Sequence, residues 1–199
     1  MQAQAAHAQR LANCLPPGPH AAAVVTAALA MAAHLFDCPP SGLDACYDAG
    51  FPAAALAYWA QTCPGCSQWQ NGNLQCVMFV AAAYALAGLP LPEFGNAVDF
   101  WSLYAGRVGW REIPAGAAPP GARGLPAPGD LMVWYAARDP TVGHIAIVIA
   151  VQPPTAAALG AVTFAEANGP GPIVTETLLP DLLVATWSGY TVLGYIRPA

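Results

Sequence analysis

Lysine is absent from this 199-residue chain, and charge of either sign is scarce. All six basic residues are arginine. Charged residues make up 9% of the chain, against about 25% in an average protein. Beside so much alanine, proline and glycine, the missing lysine reflects compositional bias and carries no functional message. The net charge of −5 and a pI near 5.1 exclude the basic surface that nucleic-acid binding needs for counterion release. There is no basic run to mark a membrane surface or an acidic partner. Long hydrophobic runs are missing as well. The best candidate, Ala21 to Ala33 between His20 and His34, is mostly alanine and falls short of the roughly 20 apolar residues of a membrane span. Arg10 precedes it as in a signal peptide, but Pro16, Pro17 and Pro19 interrupt that pattern, so the segment is predicted to be a buried helix. Export by another route stays open.

What is present is apolar: 56% of the residues are hydrophobic, enough for a full core without staples. The length suits one domain, or one domain with a small appendage. No internal repeat is visible. Residues 1–62 read as short helices. Ala21–Phe36 is stopped by Pro39 and Pro40. Ser41 with Asp44 has the spacing of a capping box, predicting a helix to about Ala49 closed by Gly50. Pro52 then opens Ala53–Gln61. Residues 63–73 read as loop. A helix follows from Cys76 to about Ala87, with Gly88 as its stop, and residues 114–128 read as a surface loop.

From there the texture changes. Leu131–Tyr135, His144–Val151, Val162–Ala165, Ile173–Leu178 and Tyr190–Ile196 are short, rich in Val, Ile and aromatics, and bounded by Gly or Pro. Helices followed by strands predict an α+β fold with a mainly antiparallel sheet of about five or six strands. The expected division is a helical N-terminal extension, residues 1–62, and a catalytic domain, residues 63–199.

Cys76 opens a predicted helix, where unpaired backbone N–H groups and the helix dipole favour a thiolate. A buried structural cysteine is the alternative. Of the four histidines, His144 alone falls among the strands, at the head of an apolar one; it is a candidate base or simply a turn residue. Gly143 before it is expected to leave room for a substrate or thiol. A Cys–His pair needs a third group to orient the ring. Glu166 and Asn168 follow the next strand two residues apart, so both side chains reach one face if the chain stays extended. A solvated strand end is the competing reading.

Several segments then resemble one family, in order along the chain. Gln75-Cys76-Val77-Met78-Phe79-Val80 resembles the nucleophile motif of CHAP domains, the amidohydrolase/peptidases named for their cysteine and histidine. Gly95-Asn96-Ala97-Val98-Asp99-Phe100-Trp101 resembles their Gly-Asn-Ala…Trp segment. Pro128-Gly129-Asp130-Leu131-Met132-Val133-Trp134 resembles the turn and first strand. Gly143-His144-Ile145-Ala146-Ile147-Val148 resembles the histidine strand, and Glu166-Ala167-Asn168 the acidic/amide pair. Together they cover residues 63–199.

The resemblance, within the broader NlpC/P60 papain-like superfamily, implies a cysteine helix packed on an antiparallel sheet that carries the histidine. It implies hydrolysis of peptidoglycan amides, between muramic acid and L-alanine or within peptide stems and cross-bridges. Cys76 would attack, His144 would exchange protons, and Glu166 would orient His144, with Asn168 sharing or replacing that role. The Cys76 backbone N–H and a side-chain donor would stabilise the oxyanion. Gln75 is the nearest donor, although adjacent helical residues point apart. Trp134, Trp101 and Tyr135 are candidate walls of the groove, or core.

Some members bind calcium ahead of the cysteine. Gln70-Asn71-Gly72-Asn73 offers no carboxylate there, so no tight site and no cofactor are expected. The remaining cysteines, Cys14, Cys38, Cys46, Cys63 and Cys66, are odd in number. Disulfides such as Cys38 with Cys46 suit an exported protein. Zinc on Cys38, Cys46, Cys63 and Cys66 is an alternative. A redox role for Cys63-Pro-Gly-Cys66 lacks the expected strand–helix context. An extracellular or wall-associated monomer acting on peptidoglycan is expected. A non-catalytic wall-binding module and a cysteine amidase for a non-wall amide are the competing functions.

Overall fold

The computed structural model describes residues 17–38, 45–66, 72–91, 95–115, 125–153, 160–168, 173–178 and 189–199. The fold is α+β. Among these residues the order is α1 (Ala21–Ala32), β1 (Leu35–Asp37), β2 (Ala45–Tyr47), α2 (Ala53–Thr62), β3 (Asn73–Leu74), α3 (Cys76–Leu86) and α4 (Asp99–Tyr104). Then come β4 (Trp110–Pro114), β5 (Leu131–Ala136), β6 (Asp139–Gln152), β7 (Ala161–Ala165), β8 (Val174–Leu178) and β9 (Tyr190–Pro198).

The main sheet has the strand order β4-β9-β5-β6-β7-β8, and every neighbouring pair is antiparallel. Both of its faces carry core. Leu131, Val133, Ile145, Ile147, Ala165 and Ile196 face the helices, while Met132, Trp134, Ala146, Val148, Phe164 and Tyr195 form a second cluster. Burial on both sides explains why these strands read as near-continuous apolar runs. α3 lies at the centre of the helical layer, with Cys76 and every residue from Phe79 to Tyr84 buried, as expected for a helix apolar all round. It ends in a Schellman motif: Leu89 N–H bonds Tyr84 O, Gly88 N–H bonds Ala85 O, and Gly88 takes φ 76°.

The N-terminal region departs from its helical reading. α1 stops at Ala32, not Phe36, and Leu35–Asp37 pairs with Ala45–Tyr47 as strands. Cys38 precedes Pro39, which disfavours a helical conformation there. The helix expected to reach Ala49 is therefore replaced by β2, which a disulfide from Cys46 to Cys38 ties to the end of β1. Ser41 and Asp44, the proposed capping box, lie outside the described residues. β2 also pairs with β3, so the small sheet β1-β2-β3 spans the expected division at residue 62. Other contacts across it are close. A Cβ on Gly129 (φ +84°) would stand 2.7 Å from Ala21 Cα, and one on Gly18 would stand 2.5 Å from Pro198 O. Trp59 of α2 donates from Nε1 to Met78 O of α3 at 3.2 Å.

Three further elements, β3, α4 and β4, were not read from the sequence either. β4 is an edge strand ending in Pro114, where a missing N–H costs no ladder bond. Beneath the sheet, Arg197 of β9 grips Asp130 through two bonds of 2.7 Å, Nε to Oδ1 and Nη2 to Oδ2; both residues are buried. Ala127 N–H adds a 2.7 Å bond to Oδ2.

Candidate active site

β3 delivers the chain to Gln75, which is the N-cap of α3 in an extended conformation (φ −98°, ψ 157°), and Cys76 is the first residue of the helix. The sulfur therefore sits where the open N–H groups of the first turn and the helix dipole favour negative charge. Cys76 is 6% exposed and is the one free cysteine among the described residues.

Antiparallel register brings the other two groups to it. His144 lies opposite Trp134, and Ile147 lies opposite Ala165, so the residue after β7, Glu166, comes to the face that Ala146 and His144 share. Glu166 N–H bonds Ile173 O at 2.9 Å, which fixes the chain where it leaves β7. His144 Nε2 stands 2.6 Å from Glu166 Oε2. His144 is 5% exposed and Glu166 fully buried. The second carboxylate oxygen, Oε1, finds no hydrogen-bond partner among the described residues, so the interaction of this buried acid runs through the imidazole.

The imidazole in turn hydrogen-bonds the Cys76 side chain. Burial alone would depress the histidine. The charge and hydrogen bond of Cys76, then the hydrogen bond and charge of Glu166, outweigh it and raise His144 from 6.5 to about 10. Both partners thus favour the charged form of the ring against the burial that opposes it.

Asn168 does not share the imidazole with Glu166. The chain does not remain extended past β7: Asn168 takes φ 63°, which asparagine tolerates, and its Nδ2 donates to Gln75 Oε1. The expected alternation of residues 166–168 therefore fails. Instead Asn168 grips the N-cap of the nucleophile's helix while Glu166 holds the histidine. Gln75, being the cap and not a helical residue, escapes the objection that adjacent helical side chains diverge.

The aromatic candidates fall elsewhere. Trp134 is 1% exposed and packs beneath the site, its ring 5.5 Å from that of His144 and 5.5 Å from Phe164, so it is a floor of the second core and no groove wall. Trp101 packs over β9, where a Cβ on Gly194 would meet its ring at 2.5 Å. Tyr135 is half-buried. Tyr190, half-buried with its ring 6.4 Å from His144 in an edge-on arrangement, is an aromatic neighbour that no motif had marked. Gly143 leaves no room for substrate, because a Cβ there would lie 2.5 Å from Trp134 O and 2.7 Å from Val98 N. Its small size serves the packing of the segment ahead of α4 against the sheet. The four cysteines of the zinc alternative are joined as two disulfides, Cys38–Cys46 and Cys63–Cys66. Cys63 follows the end of α2, without the strand-to-helix setting of a redox motif. Cys14 lies outside the described residues. No described helix is long and apolar enough to cross a membrane.

A helix-borne cysteine, a buried histidine and a buried carboxylate thus stand in hydrogen-bonded sequence. The model of the CHAP domain family matches residues 53–168, more than half of the chain, so the chain belongs to that family. Domains of this family are hydrolases of the amidase type, and the chain is an enzyme of that class. The match takes in Cys76, His144, Glu166 and Asn168; it begins at α2 and ends ahead of β8 and β9. A comparison with curated proteins returns no match.

Proposed function

We propose that this chain hydrolyses an amide bond of peptidoglycan, at the muramic acid–L-alanine junction or in a peptide stem or cross-bridge, with Cys76 as the nucleophile. The observation that carries this reading is the unbroken line of contacts from Cys76 through His144 to Glu166. The attacking form is the thiolate, with its proton held by His144. The thiolate attacks the carbonyl carbon, and the oxyanion is stabilised by the Cys76 backbone N–H and the Gln75 side-chain amide. His144 then gives its proton to the leaving amine as the C–N bond breaks, leaving a thioester on Cys76. The neutral ring next takes a proton from water, which displaces the sulfur and restores the ion pair. Glu166 orients the ring and favours its charged form, while Asn168 fixes the amide of Gln75.

The acidic, lysine-free surface and the absence of a basic patch accord with a wall polymer and not with nucleic acid. Two disulfides accord with action outside the cell, at the wall. Residues 63–199 hold the whole of this machinery, and residues 1–62 serve it as an attached support. Purified walls in a gel test the reading: the wild type clears them and Cys76→Ala does not. Mass spectrometry of the released muropeptides identifies the bond. Clearing by Cys76→Ala at the wild-type rate, or none by either protein, would sink it.

A further inference from the structure

The residues ahead of the family match bear directly on the nucleophile. β3 is only Asn73–Leu74, and a single residue, Gln75, separates it from Cys76. Its partner in the small sheet is β2, through Ala45↔Leu74 and Cys46↔Asn73, and Tyr47 N–H bonds Gly72 O at 3.3 Å. β2 in turn pairs with β1 through Leu35↔Tyr47, Phe36↔Cys46 and Asp37↔Ala45. Ladders this short are marginal on their own. Two clamps hold the outer pair together. At one end Cys38 is bonded to Cys46; at the other Asp48 N–H bonds His34 O at 3.1 Å and the His34 ring meets Asp48 Oδ1 at 2.9 Å. Cys46 is thus both a disulfide partner and the residue opposite Asn73.

We propose that the Cys38–Cys46 disulfide is a positioning device for the active site: it holds β2 in place against β3 and so sets the N-cap from which Cys76 points at His144. The enzyme then needs two cysteine states at once, the 38–46 pair oxidised and Cys76 reduced. A dithiol switches it down. One dithiol sulfur attacks the disulfide to give a mixed disulfide, and its second sulfur displaces the remaining protein thiol. Two electrons pass to the protein, which gains two thiols, and the reagent leaves as a cyclic disulfide. A reducing cytosol would hold such a hydrolase back until it reached an oxidising compartment. The inference rests on Cys76 being the reactive thiol of the site proposed above. It does not depend on which substrate is cut.

The test reads Cys76 directly. The full chain is reduced with dithiothreitol, desalted under argon and pulsed with iodoacetamide at pH 6, and labelling of the Cys76 peptide is timed by mass spectrometry. Reduction is expected to slow Cys76 labelling at least tenfold and to lower kcat on walls in parallel, with KM little changed and the far-UV spectrum retained. Cys38→Ala/Cys46→Ala shows the slowed rate from the start and no further response to dithiol. Cys63→Ala/Cys66→Ala responds as the wild type does. The proposal is overturned if fully reduced protein labels at the oxidised rate, if the 63–66 pair carries the response, or if reduction collapses the far-UV spectrum, which would make the bond a global staple. Since labelling needs no wall, a failure to clear substrate with the labelling pattern intact would count against the substrate assignment alone.

Discussion

Replacing Glu166 by glutamine keeps the shape of the side chain but removes the negative charge that lies 2.6 Å from His144 Nε2. The carboxylate is fully buried, so its attraction for the imidazolium is not screened by solvent. A hydrogen bond to a charged partner is worth about 1.5–3 kcal/mol, and 1.36 kcal/mol corresponds to one pH unit, so the histidine should titrate roughly one to two units lower. In the wild type the imidazolium persists up to about pH 10. Below that limit His144 carries the proton that the leaving amine needs. Above it that proton is lost. The upper limb of kcat/KM against pH is therefore expected near 10 for the wild type, and roughly one to two units lower for Glu166→Gln. Stability should follow the same sign. A histidine raised from 6.5 to about 10 in the folded state contributes fully below 6.5, and that contribution disappears as the pH climbs through 10. Urea midpoints measured from pH 6 to 10.5 should fall across this window, and the fall should end earlier in Glu166→Gln. An upper limb that stays near 10 in the variant would refute the claim that Glu166 holds the charged ring.

Other consequences concern the support of the site. Asp130→Asn removes one member of a buried, doubly bonded ion pair and is expected to cost about 3–5 kcal/mol in urea unfolding; activity per folded molecule should change little. Gly129→Ala forces a Cβ to within 2.7 Å of Ala21 Cα at φ +84°. It should destabilise the protein by about 1–3 kcal/mol, read as a lowered melting temperature. Gln75→Ala removes the proposed side-chain oxyanion donor and should lower kcat about 100-fold with KM nearly unchanged. Equal kcat in variant and wild type would leave the backbone N–H groups as the whole oxyanion hole.

The inner strands of the main sheet were legible because burial on both faces demands Val, Ile and aromatic runs, and the chain punctuates them with Gly and Pro. The boundaries of β5, β7 and β9 lie close to those read from the sequence, whereas β6 begins well ahead of His144. β2 was not legible. Its residues carry alanine beside apparent helix-capping signals, and what makes it a strand is remote: pairing with β1 and β3 and the bond from Cys46 to Cys38. α4 and β4 are too short for periodicity to speak. In the site, Cys76 and His144 stood out because a helix start and a lone strand histidine are local features. Which of Glu166 and Asn168 meets His144 was open, since it depends on where the chain leaves β7 and turns to positive φ. The burial of Trp134 and the close packing at Gly143 follow from sheet register and from the segment before α4, neither of which is encoded near those residues.

Rates of iodoacetamide labelling at Cys76 between pH 4 and 9, compared in wild type and His144→Ala, decide whether the imidazole activates the thiol. An imidazolium partner predicts fast labelling well below pH 8 in the wild type. Without the partner, reaction should appear only as the pH nears the ordinary thiol range of about 8.5. Identical profiles in the two proteins would mean that His144 does not activate Cys76, and the thiol mechanism would fall with it.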